Sequence, residues 1–324
     1  MKILKYEHFI ALAIIPVWVL LLAVLAPNSL EYWLTYWWMF PIALVIATVV
    51  NTVGISGAAL FVPFFILVFP LMAEPLAAEQ SVKLGLITES FGLSSSAFAF
   101  FRFGLIDRKL GLFTVLVALP FVIIGAVLSF YVSENVLRLF IAVVLMIGPI
   151  LMLSRKRKES KEQCIENEVI GEHHDHPEAD NVTLTDKNGK IYKYCRTCGR
   201  KARTVVYSIG AIFQGAAGFG IGEIGILSMV FTKIPIRVAI GTSHMVVAVT
   251  AIVASLAHIL QSAAGDTGTP WNILIMTVPA VIIGGQMAPY VSSRLKTSLL
   301  ENFVAVLFIV LSVAMFWISL SRII

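Results

Sequence analysis

Long apolar runs alternate with short polar ones along the chain, and two of the apolar runs are interrupted from within. Thr204–Thr232 holds a glycine-rich polar break, Gln214 to Glu223, between the apolar runs Val205–Phe213 and Ile224–Phe231. A helical membrane crossing needs about 20 apolar residues, so this segment is too long for one such helix and too short for two. It predicts two short helices meeting inside a membrane. Irregular backbone is not tolerated against lipid, so the break must be buried in protein or line a wet cavity. Met39–Met72 repeats the device, with Asn51-Thr52-Val53-Gly54-Ile55-Ser56-Gly57-Ala58 as its break.

The remaining apolar runs predict ordinary spans at Phe9–Ala26, Gln80–Phe101, Gly111–Phe130, Val136–Leu153, Val238–Leu260, Trp271–Tyr290 and Leu299–Leu320. Basic residues gather at Lys2 and Lys5, at Arg102–Lys109, at Arg155-Lys156-Arg157-Lys158, at Arg200–Arg203, at Lys233 and Arg237, and at Arg294 and Lys296. The positive-inside rule makes all of these cytoplasmic. Tyr32, Trp33, Tyr36, Trp37 and Trp38 then form an outer interfacial belt, and the C-terminus is external. On this count the first broken segment enters and leaves from outside, the second from the cytoplasm. Paired thin spans in place of hairpins would give the same sidedness.

The two halves also match in sequence. Gly54-Ile55-Ser56-Gly57-Ala58-Ala59 aligns with Gly218-Phe219-Gly220-Ile221-Gly222-Glu223. Ala77-x-x-Gln80-Ser81 aligns with Ala239-x-x-Thr242-Ser243, Pro120-x-Val-Ile-Ile-Gly125 with Pro279-x-Val-Ile-Ile-Gly284, and Tyr131-Val132-Ser133 with Tyr290-Val291-Ser292. All fall at separations of 159 to 164 residues. The expected fold is an all-α polytopic membrane protein of two inverted-topology repeats, each with one broken, re-entrant hairpin and three spans, plus an extra N-terminal span. The expected divisions are 1–38 (N-terminal span and interfacial segment), 39–153 (first repeat), 154–203 (cytoplasmic linker) and 204–324 (second repeat). Inverted repeats with broken helices are a signature of secondary transporters.

Composition agrees: 58% of residues are hydrophobic, 13% are charged and the mean hydropathy is +0.90, against about 25% charged in soluble domains. The chain is expected in the lipid bilayer of a cell (inner or plasma) membrane. Of the 24 Lys and Arg residues, 12 lie in Arg155–Arg203, so the net charge of +5 reports topology rather than a nucleic-acid partner. No HExxH, G-x-S-x-G or clustered carboxylate set occurs in the spans, so an enzyme is not expected. Nothing in the sequence sets an oligomeric state.

Helix N-termini at the breaks offer unpaired backbone N–H groups to negative charge. Two such ends converging on one cavity favour a small anionic substrate, with Asn51, Ser56, Gln80, Ser81, Gln214, Thr242 and Ser243 as further hydrogen-bonding groups. Gly54, Gly57, Gly218, Gly220 and Gly222 permit close backbone approach, either to substrate or to a neighbouring helix. Ionisable groups at bilayer depth suggest function by default. Lys83 either neutralises the anion or snorkels to the outer surface. Glu223 either carries a coupled proton, with His244 as relay and Glu89 as a further candidate, or caps its own helix. His258 reads as structural.

These motifs resemble the sulfite exporter TauE/SafE family of permeases, whose repeated Gly-x-Gly-Gly-Gly-x-x-x-x-Pro turn is followed by Ala-x-x-Thr-Ser. The first copy here reads Gly54 to Pro63 and is followed by Ala77-Ala78-Glu79-Gln80-Ser81. The second reads Gly218 to Gly225, followed by Ala239-Ile240-Gly241-Thr242-Ser243. Ser56 and Ala58 replace two glycines of the first copy; the second has Ile221 at a usual glycine and lacks the proline. The resemblance spans roughly Phe40–Leu153 and Thr204–Phe316. It implies a secondary transporter, an exporter of sulfite, sulfoacetate, thiosulfate or a related anion driven by an ion gradient, that needs no cofactor. An anion channel and a metal-regulated membrane sensor are the alternatives.

The linker Arg155–Arg203 gathers all three cysteines and three histidines. Cys164, Cys195 and Cys198 with His174 or His176 would make a closed tetrahedral zinc site. A disordered linker and a redox or metal-sensing loop compete with it. Val182–Leu184 and Ile191–Tyr194, joined through Asn188-Gly189, predict a small hairpin.

Overall fold

The computed structural model describes residues 12–25, 28–147, 149–150, 180–187, 189–263, 268–294 and 297–321. The described chain is a helical bundle with one small two-stranded sheet. Its helices in order are α1 (Ile14–Leu25), α2 (Leu30–Leu34), α3 (Met39–Val53), α4 (Ala58–Pro63), α5 (Ala78–Arg102), α6 (Arg108–Phe130) and α7 (134–147). After the hairpin β1 (Asn181–Thr185) and β2 (Ile191–Cys195) follow α8 (Arg200–Ala217), α9 (Ile221–Phe231), α10 (Ile236–Ala263), α11 (Trp271–Arg294) and α12 (Thr297–Ser321). Among the described residues, five helical stretches are long and apolar enough to cross a membrane: Leu30–Val53, Ala78–Arg102, Arg108–Phe130, Ile236–Gln261 and Asn302–Leu320. Apolar side chains on α6 and α12 such as Leu116, Ile124, Val306 and Val310 face outward, as lipid contact requires. The aromatic stretch belongs to a helical run that begins at Leu30, earlier than the expected Met39, because Ser29 caps α2 by accepting from the Tyr32 amide at 3.2 Å.

Both expected breaks are present. α3 ends on Gly54 (φ +80°), whose amide donates to the Val50 carbonyl at 2.9 Å, and α8 ends on Gly218 (φ +91°), whose amide donates to the Gln214 carbonyl at 2.9 Å. This is the left-handed C-cap that glycine adopts without a Cβ penalty. The first broken segment closes on itself where Tyr36 and Trp38 pack on Phe69, ring centroids 5.4 and 5.6 Å apart. Its return arm is irregular, passing from α4 through a π-turn at Phe64–Val68 and a 3₁₀ turn at Phe69–Leu71; Pro63, just before the first, and Pro70, within the second, lack an amide hydrogen. The second segment closes where Arg203 Nη1 donates to Thr232 Oγ1 at 2.8 Å. Gly210 lies against Ile221 and Gly225 against the Tyr207 ring, the register of an antiparallel hairpin. The first hairpin opens at the Ala78 end of α5. The second opens at the other, basic end, beside Arg102 and Arg108.

The matched Pro-x-Val-Ile-Ile-Gly motifs make equivalent contacts across the halves. Gly125 on α6 sits against the Ile212 carbonyl of α8, and Gly215 of α8 sits against the Val122 carbonyl in return. Gly284 on α11 sits against Ala47 and Thr48 of α3. Each motif helix thus packs on the first arm of the other half's hairpin. Helices in lipid associate through such close backbone contacts rather than through hydrophobic exclusion. The centre is filled by α5, whose Thr88 and Ser95 bond Thr277 Oγ1 (3.2 Å) and the Ile282 carbonyl (2.9 Å) of α11.

Candidate functional site

The tips of the two hairpins touch. A Cβ at Gly218 would lie 3.5 Å from the Ala58 Cβ, and one at Gly222 would lie 3.9 Å from the Ser56 amide nitrogen. At the junction the Ser56 backbone N–H donates to Glu223 Oε1 at 2.9 Å, and the Ser56 hydroxyl donates to Glu89 Oε1. One serine therefore bridges two carboxylates that arrive on different elements, Glu223 in the first turn of α9 and Glu89 midway along α5. Glu89 is eleven residues from the start of α5, about 17 Å along a helix of 1.5 Å rise per residue. The amides of Gly57 and Ala58 also interact with Glu89. Glu89 is 2% and Glu223 8% exposed. The second oxygen of each has no hydrogen-bond partner, and neither carboxylate forms an ion pair among the described residues. Burying a charge without a counter-charge is costly, so a carboxyl pair held by neutral donors can take up and give back a proton. Beside it, an apolar recess lined by Val144, Phe213, Phe219, Ile224 and Phe308 opens onto Glu223.

This junction differs from the expected one in a specific way. The Ser56 amide that the sequence offers to a substrate anion is held by Glu223, because a buried backbone N–H needs an acceptor and the second hairpin supplies it. Gly54, Gly57, Gly218, Gly220 and Gly222 all lie at the tips; Gly54 abuts Ile240. Asn51 donates to the Ala47 carbonyl at 2.7 Å with its own Oδ1 unpartnered, and Gln214 Oε1 accepts from Thr250 at 3.4 Å with Nε2 unpartnered, so both keep a buried polar atom near the breaks. Ser243 Oγ reaches the Gly222 carbonyl at 3.4 Å.

Other expected site residues are elsewhere. Gln80 accepts from the Ala77 amide at 3.2 Å and donates to the Gly268 carbonyl at 3.3 Å, and Ser81 donates to the Ala77 carbonyl at 3.1 Å. Both serve the first turn of α5. Lys83 is buried with Nζ 3.5 Å from the Gly268 carbonyl, directed toward that end rather than toward Ser56. Thr242 accepts from the Asp107 amide at 3.0 Å at the basic end. His244 Nδ1 pairs with Ser96 Oγ at 3.0 Å and packs edge-on to Phe100, while His258 Nε2 bonds the Gly215 carbonyl at 2.8 Å.

A further polar cluster, around Asp107, lies at the basic end. Asp107 caps α6 by accepting from the Leu110 amide at 3.1 Å; it also accepts from the Tyr194 hydroxyl at 2.7 Å and from Arg196 Nε at 2.9 Å. Burial pushes its carboxyl up, but Arg196, the Leu110 amide and Tyr194 together outweigh that and hold it below the usual carboxylate range. Burial, and then Asp107, push the Tyr194 phenol up. An aspartate immediately before an apolar helix was the available signal. The hairpin that carries Tyr194 forms in the expected place, with Val182 opposite Tyr194.

Two of the expected zinc ligands are described. Cys195 and Cys198 are joined by a disulfide, which leaves no thiolate at either position for a metal. Among the described residues no group of three or more His, Cys, Asp or Glu side chains could hold a metal ion; Cys164, His174 and His176 lie outside the described residues.

A family model described as Sulfite exporter TauE/SafE matches residues 10–315. Among curated proteins the chain is similar to the "Probable membrane transporter protein YunE" of Bacillus subtilis (strain 168), with 21% identity over 276 residues, covering 83% of this chain and 93% of that one. No solved structure matches the chain.

Proposed function

The chain belongs to the sulfite exporter TauE/SafE family of membrane transporters, and we propose that it exports a small anion, with sulfite, sulfoacetate and thiosulfate the leading candidates, moving together with protons held at Glu223 and Glu89. The observation that carries this reading is the single serine between two buried carboxylates, at the meeting point of two hairpins that open at opposite ends of the bundle. While Glu223 is ionised, it occupies the Ser56 amide. A protonated Glu223 is a weaker acceptor and releases that amide, together with the neighbouring amide-rich helix starts, to an incoming anion. Anion and proton then favour the same state, which is a coupling free energy between two ligands and is reciprocal. Net direction follows from the sum of the two gradients.

The contacts of Gly125 and Gly284 on opposite hairpins support a reading in which the halves are inverted repeats, and alternating access comes from one half moving against the other. The basic loops support a topology with the N-terminus and the linker in the cytoplasm and the C-terminus outside. Purified protein in proteoliposomes, tested with labelled sulfite, sulfoacetate, thiosulfate and a panel of carboxylates with and without a pH gradient, tests substrate class and coupling together. Transport of one sulfur anion that accelerates with the gradient is expected. Equal flux of chloride and all other anions would indicate a channel and end the proposal.

A further inference from the structure

We propose that Cys195 and Cys198 form a redox-active dithiol–disulfide site, read by a cytoplasmic dithiol oxidoreductase of the thioredoxin class, that controls the strap tying the two halves together at the basic end. This goes beyond the transport reading and depends on it only for the side of the membrane.

The two sulfurs differ in access. Cys195 is 7% exposed and its Sγ accepts the Cys198 amide at 3.1 Å, whereas Cys198 is half-buried. An external thiolate therefore reaches Cys198 Sγ. It forms a mixed disulfide there while the Cys195–Cys198 bond breaks, and Cys195 leaves as a thiolate already solvated by an amide. The donor's second thiol then attacks the mixed disulfide and releases Cys198, so two electrons and two protons pass from the donor dithiol to the protein. The pair lies just before the N-terminus of α8, with Arg196 between the two cysteines in sequence, and a helix N-terminus favours a thiolate. Stable disulfides are rare in the cytosol, and those that occur there are transient and sensing.

What the disulfide holds is specific. The tetrapeptide it closes contains Arg196, whose guanidinium binds Asp107 in the α5–α6 loop of the first half and also Asp180. The Arg196 carbonyl accepts from Arg203, and Arg203 in turn holds Thr232 at the foot of the second hairpin. Gly199, directly after Cys198, has φ +69° and packs so closely on Thr232 that a side chain there would overlap it. Asp107 itself donates its amide to Thr242 of α10. Opening the Cys195–Cys198 loop frees the backbone that presents Arg196, and with it the ion pair between Arg196 and Asp107 of the α5–α6 loop.

The test uses full-length protein in detergent with Cys164→Ser, so that only this pair reports. Equilibration in dithiothreitol buffers, followed by thiol alkylation and mass spectrometry, should show reversible reduction of Cys195 and Cys198. Reduction by thioredoxin with its reductase should also proceed. Hydrogen exchange of amides in 103–110 and 197–204 should then quicken about tenfold, with the hairpin tips unaffected. Cys195→Ser with Cys198→Ser should exchange at the fast rate in any redox buffer, and Arg196→Ala should do so with its disulfide intact. Failure of the disulfide to form under oxidising buffer would overturn the proposal. So would unchanged exchange on reduction, or one equivalent of zinc bound by the reduced protein. None of these readouts involves flux, so they fail or succeed apart from the transport proposal.

Discussion

Ser56 donates its backbone N–H to Glu223 across 167 residues of sequence, at 2.9 Å, in the core of a bundle where both residues are buried. The bond joins the broken segment of one half to that of the other. Everything that moves one half against the other must stretch it, exchange it or break it.

The hydroxyl of the same residue gives a stability prediction. Ser56→Ala keeps the amide bond to Glu223 but leaves Glu89 Oε1 without its donor. Loss of a buried hydrogen bond to an acid costs about 1–3 kcal/mol, so the apparent unfolding temperature in detergent should fall. Ser56→Thr, which keeps a hydroxyl, should recover most of the loss. Equal destabilisation by both substitutions would show that space, not the hydroxyl, matters there.

The glycine contacts predict a second pattern. A side chain at Gly125 or Gly215 would overlap backbone of the facing helix, while one at Gly268 would meet nothing among the described residues within 4 Å. Gly125→Val and Gly215→Val should each cost about 1–3 kcal/mol or more by overpacking and reduce the monodisperse fraction in size-exclusion chromatography. Gly268→Ala should leave the elution profile unchanged.

Much of this arrangement is legible in the sequence. The glycine breaks appear as interrupted apolar runs, and the repeated Pro-x-Val-Ile-Ile-Gly motif marks two helices with equivalent partners. The pairing of Ser56 with Glu223 is not legible, because periodicity describes one helix at a time and these residues meet only after both hairpins fold. For the same reason the partners of Gln80, Ser81 and Thr242 are not legible: Gln80 and Ser81 bond the first turn of α5, and Thr242 bonds the Asp107 amide. Lys83 and Glu89 differ by six positions on α5 and do part company: one is directed toward Gly268, the other toward Ser56. The disulfide could not be distinguished from a metal knuckle, since both use the same Cys-x-x-Cys spacing.

Asp107 supplies a pH prediction. Its folded-state carboxyl lies below the usual carboxylate range, so its contribution to stability is present above its unfolded pKa of about 4 and is lost as the pH falls through the lower, folded value. Protection of amides 103–110 from hydrogen exchange should therefore hold from neutral pH to about pH 4 and drop below it, after correction for intrinsic exchange rates. Asp107→Asn should remove that step and show low protection throughout. A step that persists in Asp107→Asn would assign it to another group.

The central claim is that Glu223 exchanges its hold on Ser56 for a proton when the anion binds, and the most direct measurement is proton-coupled flux by Glu223→Gln in proteoliposomes. Wild-type protein should move the labelled sulfur anion faster when a pH gradient is imposed, and should acidify or alkalinise the lumen in proportion to the anion moved. Glu223→Gln, an always-neutral side chain that still reaches Ser56, should bind the anion with weaker dependence on pH and carry fewer protons per anion than wild type. Proton movement and pH dependence identical to wild type in Glu223→Gln would contradict the account.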